Sequence, residues 1–284
     1  MSDTVLPRLR VVCRLSGGSN DKPRPEWFSK RLCVDSLLSA AEELRRANTV
    51  VELWLAVDVR SDIDAQAVRA RYGRHFDRIL PIAGGSAAKS WRATLNLPGL
   101  VEGADLVYFV EDDHLHRPDA LVRLVHGDAA YRFAYSSDED LAPHRATVRD
   151  GWSTVGSGVT SFAVMTAVLR KDLRLHRCMS RSGRGWDEVT FRALGGGAPE
   201  ALGSGIRYVA SPMADPASRT MMGFIGGIRH SLFRAFAILA GQAHKRVISG
   251  LTPPAATHAE PALLASGTDW AAVADAVASR KQEG

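Results

Sequence analysis

Short runs of apolar residues alternate with amphipathic stretches along the first half of the chain. The runs are apolar at nearly every position, which is typical of strands that are covered on both faces of a sheet. Between them, apolar side chains such as Leu37, Ala41 and Leu44 recur near helical spacing. Ser61 or Asp62 is the expected N-cap of the second helix. We therefore predict strands at residues 9–15, 51–57, 79–83 and 106–110, and helices at residues 26–47, 62–72, 87–95 and 118–125.

This order of elements predicts an α/β fold with a mostly parallel central sheet flanked by helices. The second half of the chain is less regular. A basic, apolar pattern at residues 221–248 predicts a helix that either packs on the sheet or lies on an anionic membrane surface. The other predictions are strands at 131–135 and 206–210, a polar loop at 136–150, strand pairing within 151–169, a helix at 187–194 and a short helical tail through Trp270.

Composition narrows the class of protein. The 284 residues include 45% hydrophobic and 24% charged residues, as in an ordinary globular chain with a large core. A net charge of +5 suits anionic substrates or an acidic membrane face, but the arginines are scattered, which argues against a nucleic-acid-binding protein. Three cysteines without a CxxC spacing indicate neither a disulfide framework nor a zinc site. With no signal-peptide pattern and no apolar span, a cytoplasmic location is expected, with contact at the inner membrane face left open.

Three adjacent acids end the fourth predicted strand. Glu111, Asp112 and Asp113 directly follow the buried run 106–110, at the sheet edge where α/β proteins bind ligands. Crowded carboxylates repel one another unless a cation holds them, and oxygen ligands suit Mg²⁺ or Mn²⁺. The alternative is a solvated turn that caps the helix after Pro118. The buried strand before the acids favours the metal site.

This strand with its Glu-Asp-Asp ending resembles the DxD motif of glycosyltransferases with the GT-A fold, and the pattern extends over roughly residues 9–195. The resemblance implies that Asp113 binds Mn²⁺ or Mg²⁺ directly, with Glu111 and Asp112 in support. It also implies a further metal ligand near the C-terminus, for which His258 is the candidate; His114 and His116 are alternatives. It divides the chain into a GT-A domain at 1–220, with a nucleotide-binding half (about 1–117) and an acceptor half (118–220), and a helical extension at 221–284.

Polar residues at the other strand ends form the expected nucleotide pocket. Arg14 ends the first strand and Asp58 follows the second, where the resemblance implies contacts with the base, ribose or phosphate of a UDP- or GDP-sugar. Ser86, Lys89 and Arg92 lie on the turn and the helix after the third strand, where free backbone N–H groups and positive side chains favour anions. Before the basic helix lies one further candidate phosphate contact, Arg219.

Two more acids open the helix at 187–194. Asp187 and Glu188 resemble the acidic pair that supplies the base in inverting GT-A enzymes, and a carboxylate can accept the proton of an attacking hydroxyl. Either could serve, and an N-terminal helix cap is the alternative role. The expected function is sugar transfer from a nucleotide-diphosphate donor to a hydroxyl acceptor such as a glycan or lipid-linked sugar. The alternatives are a sugar nucleotidyltransferase and a non-catalytic nucleotide-sugar-binding protein.

Overall fold

The structure is a computed structural model that describes residues 6–17, 22–60, 63–137, 148–156, 158–181, 186–195, 235 and 245–280. The strands are β1 (Leu9–Leu15), β2 (Val51–Asp58), β3 (Arg78–Ile82), β4 (Leu106–Glu111), β5 (His114–His116), β6 (Tyr131–Phe133), β7 (Val148–Arg149), β8 (Trp152–Thr154), β9 (Phe162–Met165), β10 (Ile248–Leu251) and β11 (Ala256–His258). The helices are α1 (Lys30–Arg46), α2 (Ala65–Tyr72), α3 (Ala87–Thr94), α4 (Ala120–Val125), α5 (Thr166–Met179), α6 (Trp186–Leu194) and α7 (Trp270–Arg280).

The main sheet of the described residues has the strand order β3-β2-β1-β4-β9-β6-β10-β8-β7. Its four longest strands, β3, β2, β1 and β4, pair in parallel, and antiparallel pairing begins with the short β9. Register brings Arg14 of β1 opposite both Ala56 of β2 and Glu111 of β4. The carboxyl ends of the three central strands are therefore level with one another. The predicted α/β class, with its mostly parallel sheet and flanking helices, is confirmed.

Both faces of the sheet are covered, which explains why the strands are apolar at successive positions. Val11 and Cys13 of β1 belong to the core on the side of α1, α4 and α7. Val12, between them, belongs to the core on the side of α3, α5 and α6. Trp91 of α3 anchors this second core, with its ring centroid 4.9 Å from that of Phe109.

Local hydrogen bonds decide where the first helices begin. Ser29 Oγ accepts a hydrogen bond from Leu32 N at 3.0 Å, so α1 starts at Lys30 rather than at residue 26. Asp64 accepts hydrogen bonds from the backbone N–H groups of residues 66 and 67 and caps α2. The prediction of Ser61 or Asp62 as the cap was therefore wrong.

The second half departs further from the predicted pattern. Strand β9 ends at Met165, and the remainder of the predicted strand region opens the helix α5. The C-terminal segment, predicted to be helical, contributes β10 to the main sheet between β6 and β8, and β11 pairs with β5. The predicted strand at 206–210, the polar loop at 138–147 and nearly all of the basic helix lie outside the described residues. Among the helices that the structure does describe, none is long and apolar enough to cross a membrane.

A buried ionic network fixes the start of β10. Arg246 donates two hydrogen bonds to Asp172 of α5, at 2.7 and 2.9 Å, and its backbone N–H donates to Leu194 O at 2.8 Å. Tyr131 of β6 donates a third hydrogen bond to Asp172 at 3.0 Å. A buried carboxylate paired and hydrogen-bonded in this way holds its neighbours in place, because losing one partner would leave a charge uncompensated. The network therefore holds the residues just before β10 against α5 and the end of α6.

Candidate metal and nucleotide site

A cleft of about 720 Å³ opens at the carboxyl ends of β1, β2 and β4, the edge at which α/β sheets bind ligands. One further wall comes from β11, which runs antiparallel to β5 so that His258 lies opposite His114. The lining includes Arg14, Ser16, Lys22, Arg24, Lys30, Asp58, Gly85, Ser86, Glu111, Asp112, Asp113, Tyr135, Thr160, Asp187, His258 and Glu260.

Four side chains in this cleft bring possible metal-ligand atoms within 4.8 Å of one another: Glu111, Asp113, His114 and His258. The two oxygens of Asp113 face different imidazoles. His114 Nδ1 lies 3.2 Å from Oδ1, and His258 Nε2 lies 3.2 Å from Oδ2. Two residues predicted as primary ligands, Asp113 and His258, are thus in contact although 145 positions separate them in the sequence.

Protonation favours cation binding at this cluster. Burial alone would raise the pKa of Asp113, but hydrogen bonds with His114 and His258 outweigh it and hold the pKa well below its usual range. Burial lowers the pKa of His114, so its imidazole is neutral at physiological pH. A metal ion needs ionised carboxylates and neutral imidazoles, and Asp113 and His114 provide these two forms without proton loss.

The donor set fits a divalent ion. Two carboxylates and two imidazoles suit first-row transition ions such as Mn²⁺, whereas Mg²⁺ takes oxygen ligands almost exclusively. The described lining also carries six carboxylates against four basic side chains, an excess of negative charge that a divalent cation would balance. The acidic and histidine cluster could therefore hold a metal ion, and Glu111, Asp113, His114 and His258 are the residues that would do so.

Asp112, the middle acid of the motif, faces a different group. Its Oδ2 accepts a hydrogen bond from Ser16 N at 2.8 Å and lies 3.0 Å from Lys30 Nζ. Burial raises the pKa of Asp112, against the lowering effect of Lys30. Asp112 therefore joins the end of β1 to α1, and it lies outside the cluster of possible metal ligands.

Arg14 links the end of β1 to two other elements. Its guanidinium forms an ion pair with Glu111 and donates a hydrogen bond to Ala87 O of α3 at 3.0 Å. The side chain lines the cleft beside the acids. This positive charge therefore lies directly beside the Glu111 carboxylate.

Asp58 organises the turn after β3. Its carboxylate accepts hydrogen bonds from the backbone N–H groups of Arg60, Gly84 and Gly85, at 2.9 to 3.1 Å, and from the hydroxyl of Ser90. Burial raises the pKa of Asp58, but these hydrogen bonds outweigh it and the pKa lies below its ordinary value. A side chain at Gly84 would collide with Ser90 and Asp58, with contacts of 2.0 and 2.5 Å from its Cβ. Asp58 therefore shapes the cleft wall from which it was predicted to contact the nucleotide.

Replacing Asp58 by asparagine is expected to lower the free energy of unfolding at pH 7 by about 2 kcal/mol, because charge-assisted hydrogen bonds in a buried turn are lost. The difference should be full above the ordinary carboxyl pKa of about 3.9 and shrink as the pH falls through the lower folded-state pKa. Urea unfolding of both proteins between pH 7 and pH 3 measures it. Asp275→Asn, at an exposed position of α7, is the control. A difference that is independent of pH would contradict the role of Asp58.

The helix after this turn is only partly directed at the cleft. Ser86 lies at the N-cap position of α3 and lines the cleft. Lys89 is exposed, and Arg92 donates a hydrogen bond at 2.7 Å to the backbone oxygen of Ser180, the residue that follows α5. Neither side chain lines the described cleft, because the turn of the helix points them away. Arg219 lies outside the described residues.

The two acids of α6 have different surroundings. Asp187 lines the cleft, as do Thr160 and the acidic cluster. Glu188 pairs with Arg192 one turn along the helix, at 2.9 Å, and is not part of the described lining. Trp186, the first residue of α6, is buried and stacks on Trp91, with ring centroids 5.8 Å apart.

Three basic residues of the cleft were not predicted. Lys22, Arg24 and Lys30 line it from the segment between β1 and α1 and its first helical turn. Lys22 pairs with Glu260 at 2.6 Å, which ties this segment to the chain after β11. The available signal was the concentration of basic residues soon after the first strand, at the edge where the acids were expected.

No family model and no curated protein matches the chain. Among solved structures, S. aureus TarS 1-349 in complex with UDP-GlcNAc is 12% identical, with a TM-score of 0.42 over 66% of this chain and 52% of that one. Its complex with UDP gives 11% identity, a TM-score of 0.38 and coverages of 62% and 54%. A 4-diphosphocytidyl-2C-methyl-D-erythritol synthase is 16% identical, with a TM-score of 0.35 over 59% of this chain and 79% of that one. The chain spans about half the length of these TarS structures.

Proposed function

We propose that this chain is a metal-dependent glycosyltransferase that moves a sugar from a UDP- or GDP-sugar to a hydroxyl acceptor. One observation carries the proposal: the convergence of Glu111, Asp113, His114 and His258 at the carboxyl edge of the parallel sheet. The cleft around them, at about 720 Å³, is of the size that holds a nucleotide-sized ligand. The resemblance of the Glu-Asp-Asp strand to the DxD motif points to the same chemistry.

Some residues of the cleft would bind the metal, and others would stabilise the leaving nucleoside diphosphate. Glu111, Asp113, His114 and His258 would hold the metal, and Arg14 would position Glu111 through their ion pair. A bound divalent ion supplies Lewis-acid stabilisation of the charge that develops on the departing nucleoside diphosphate. Arg14 and Lys30 add fixed positive charge on the same side of the cleft, where backbone N–H groups at the start of α3 also favour anions.

Asp187 is the proposed base. It lines the same cleft as the acidic cluster, where it would accept the proton of an acceptor hydroxyl as that oxygen attacks the anomeric carbon. A single displacement of this kind inverts the anomeric configuration, and proton NMR of the product would show it. Glu188, engaged with Arg192, is assigned a structural role in α6.

Isothermal titration calorimetry of UDP and GDP, each with and without Mn²⁺, tests the proposal. We expect one nucleotide to bind only in the presence of Mn²⁺, because the cleft without a cation carries an excess of carboxylates. Hydrolysis of the matching nucleotide-sugars would then identify the donor. Binding of neither nucleotide under any divalent metal would contradict the proposed function, and metal-dependent binding without transfer would favour a non-catalytic binding protein.

A sugar nucleotidyltransferase is the second candidate, favoured by the basic segment before α1. Lys22, Arg24 and Lys30 all line the cleft, and an enzyme that binds a nucleoside triphosphate needs such charges. The two activities release different products. A glycosyltransferase releases a nucleoside diphosphate, whereas a nucleotidyltransferase given a sugar phosphate and a nucleoside triphosphate releases pyrophosphate.

A further inference from the structure

Arg24 lies against the same carboxylate that the proposed metal site needs. Its Nη2 is 3.2 Å from Asp113 Oδ2, the oxygen that also lies 3.2 Å from His258 Nε2. The guanidinium and a divalent ion therefore compete for one carboxylate. Because both are positively charged, each weakens the binding of the other at this point.

Two further contacts hold the guanidinium in the cleft independently of Asp113. Arg24 Nη1 donates a hydrogen bond to Ala259 O at 2.7 Å, and the guanidinium carbon lies 4.5 Å from the ring centroid of Phe28. The carbonyl and the ring face both favour a cation. The side chain would consequently stay at the cleft if its bond to Asp113 were replaced by another acceptor.

We propose that Arg24 makes metal binding conditional on a diphosphate, an inference that rests on the proposed function. A metal ion alone meets the opposing charge of Arg24 at Asp113. When a diphosphate is present, its oxygens accept the N–H bonds of the guanidinium, which arginine forms in pairs with phosphate groups. Asp113 is then released to the metal. The coupling is reciprocal, so each ligand strengthens the binding of the other by the same factor.

Calorimetry with MnCl₂ and inorganic pyrophosphate tests the role of Arg24, and it does not require knowledge of the nucleotide base. For Arg24→Gln we expect Mn²⁺ alone to bind about 5-fold more tightly. The factor by which Mn²⁺ and pyrophosphate strengthen each other should fall about 10-fold. Arg31→Gln is the matched control, because Arg31 carries the same charge on the exposed side of α1 and pairs with Asp35 away from the cleft. Its affinity for Mn²⁺ alone and its coupling factor should equal those of the wild type.

Unchanged binding of Mn²⁺ alone together with unchanged coupling in Arg24→Gln would overturn the inference. Should that variant not fold, as judged by circular dichroism, Arg24→Lys provides the test. The positive charge remains but the planar guanidinium with its paired N–H donors is lost, so the coupling between Mn²⁺ and pyrophosphate should fall about 3-fold. Wild-type coupling in Arg24→Lys would overturn the inference. A wild-type protein that couples Mn²⁺ and pyrophosphate but transfers no sugar contradicts only the proposed function, and one that binds no Mn²⁺ under either condition contradicts both.

Discussion

Asp113→Ala is expected to weaken Mn²⁺-dependent nucleotide binding by about 100-fold or more, and sugar transfer should fall with it. Asp113 contacts both imidazoles of the cluster, because one of its oxygens faces His114 and the other faces His258. Removing it takes away a charged ligand and leaves the imidazoles of His114 and His258, which attract a cation far less than a carboxylate does. Calorimetry with Mn²⁺ and the bound nucleotide measures the loss.

Asp112→Asn is the comparison within the same motif. Asp112 bonds Ser16 N and Lys30 and lies outside the group of possible metal ligands, so the affinity for Mn²⁺ should change by no more than about 3-fold. Some loss of stability is expected because Lys30 loses its ionised partner. If Asp112→Asn removed metal binding and Asp113→Ala did not, the assignment of the ligand within the motif would be reversed.

Much of the parallel half of the fold could be predicted from the sequence, because there local and tertiary preferences agree. The run 9–15 is a strand in the structure with the same bounds, and the runs 51–57 and 106–110 each extend by one residue to an acid. Burial on both faces makes such strands uniformly apolar and therefore easy to recognise. Helix α5 was missed because its first residues, Thr166 and Val168, are β-branched and follow β9 without a break.

The site was harder to predict because it depends on contacts between distant segments. Three adjacent acids signal a cation, but the sequence does not show that the middle one faces Lys30. Arg24 and Asp113 are 89 positions apart, and only the pairing of β11 with β5 brings Ala259 to the same place. Arg92 shows the opposite effect: it lies in the predicted helix, but the phase of α3 carries its side chain to Ser180. Register and helical phase are tertiary properties.

Helical phase also separates the two acids that the sequence left open as catalytic candidates. Successive residues of a helix point about 100° apart, so only one of a neighbouring pair can face a given cleft. At the start of α6 that residue is Asp187, while Glu188 turns towards Arg192. The sequence leaves two candidates for the proposed base, and the orientation of α6 favours Asp187.

Asp187→Asn should therefore lower kcat by about 10²- to 10⁴-fold, the usual contribution of a general base, and leave the Kd of the nucleotide within about 2-fold of the wild type. Asparagine keeps the size of the side chain but cannot accept the acceptor's proton. Glu188→Gln is the matched control: it removes an i,i+4 ion pair worth a few tenths of a kcal/mol and should leave kcat within about 2-fold. Single-turnover transfer assays separate the chemical step from product release. A loss of kcat confined to Glu188→Gln would assign the base to the other acid and require α6 to turn when substrate binds.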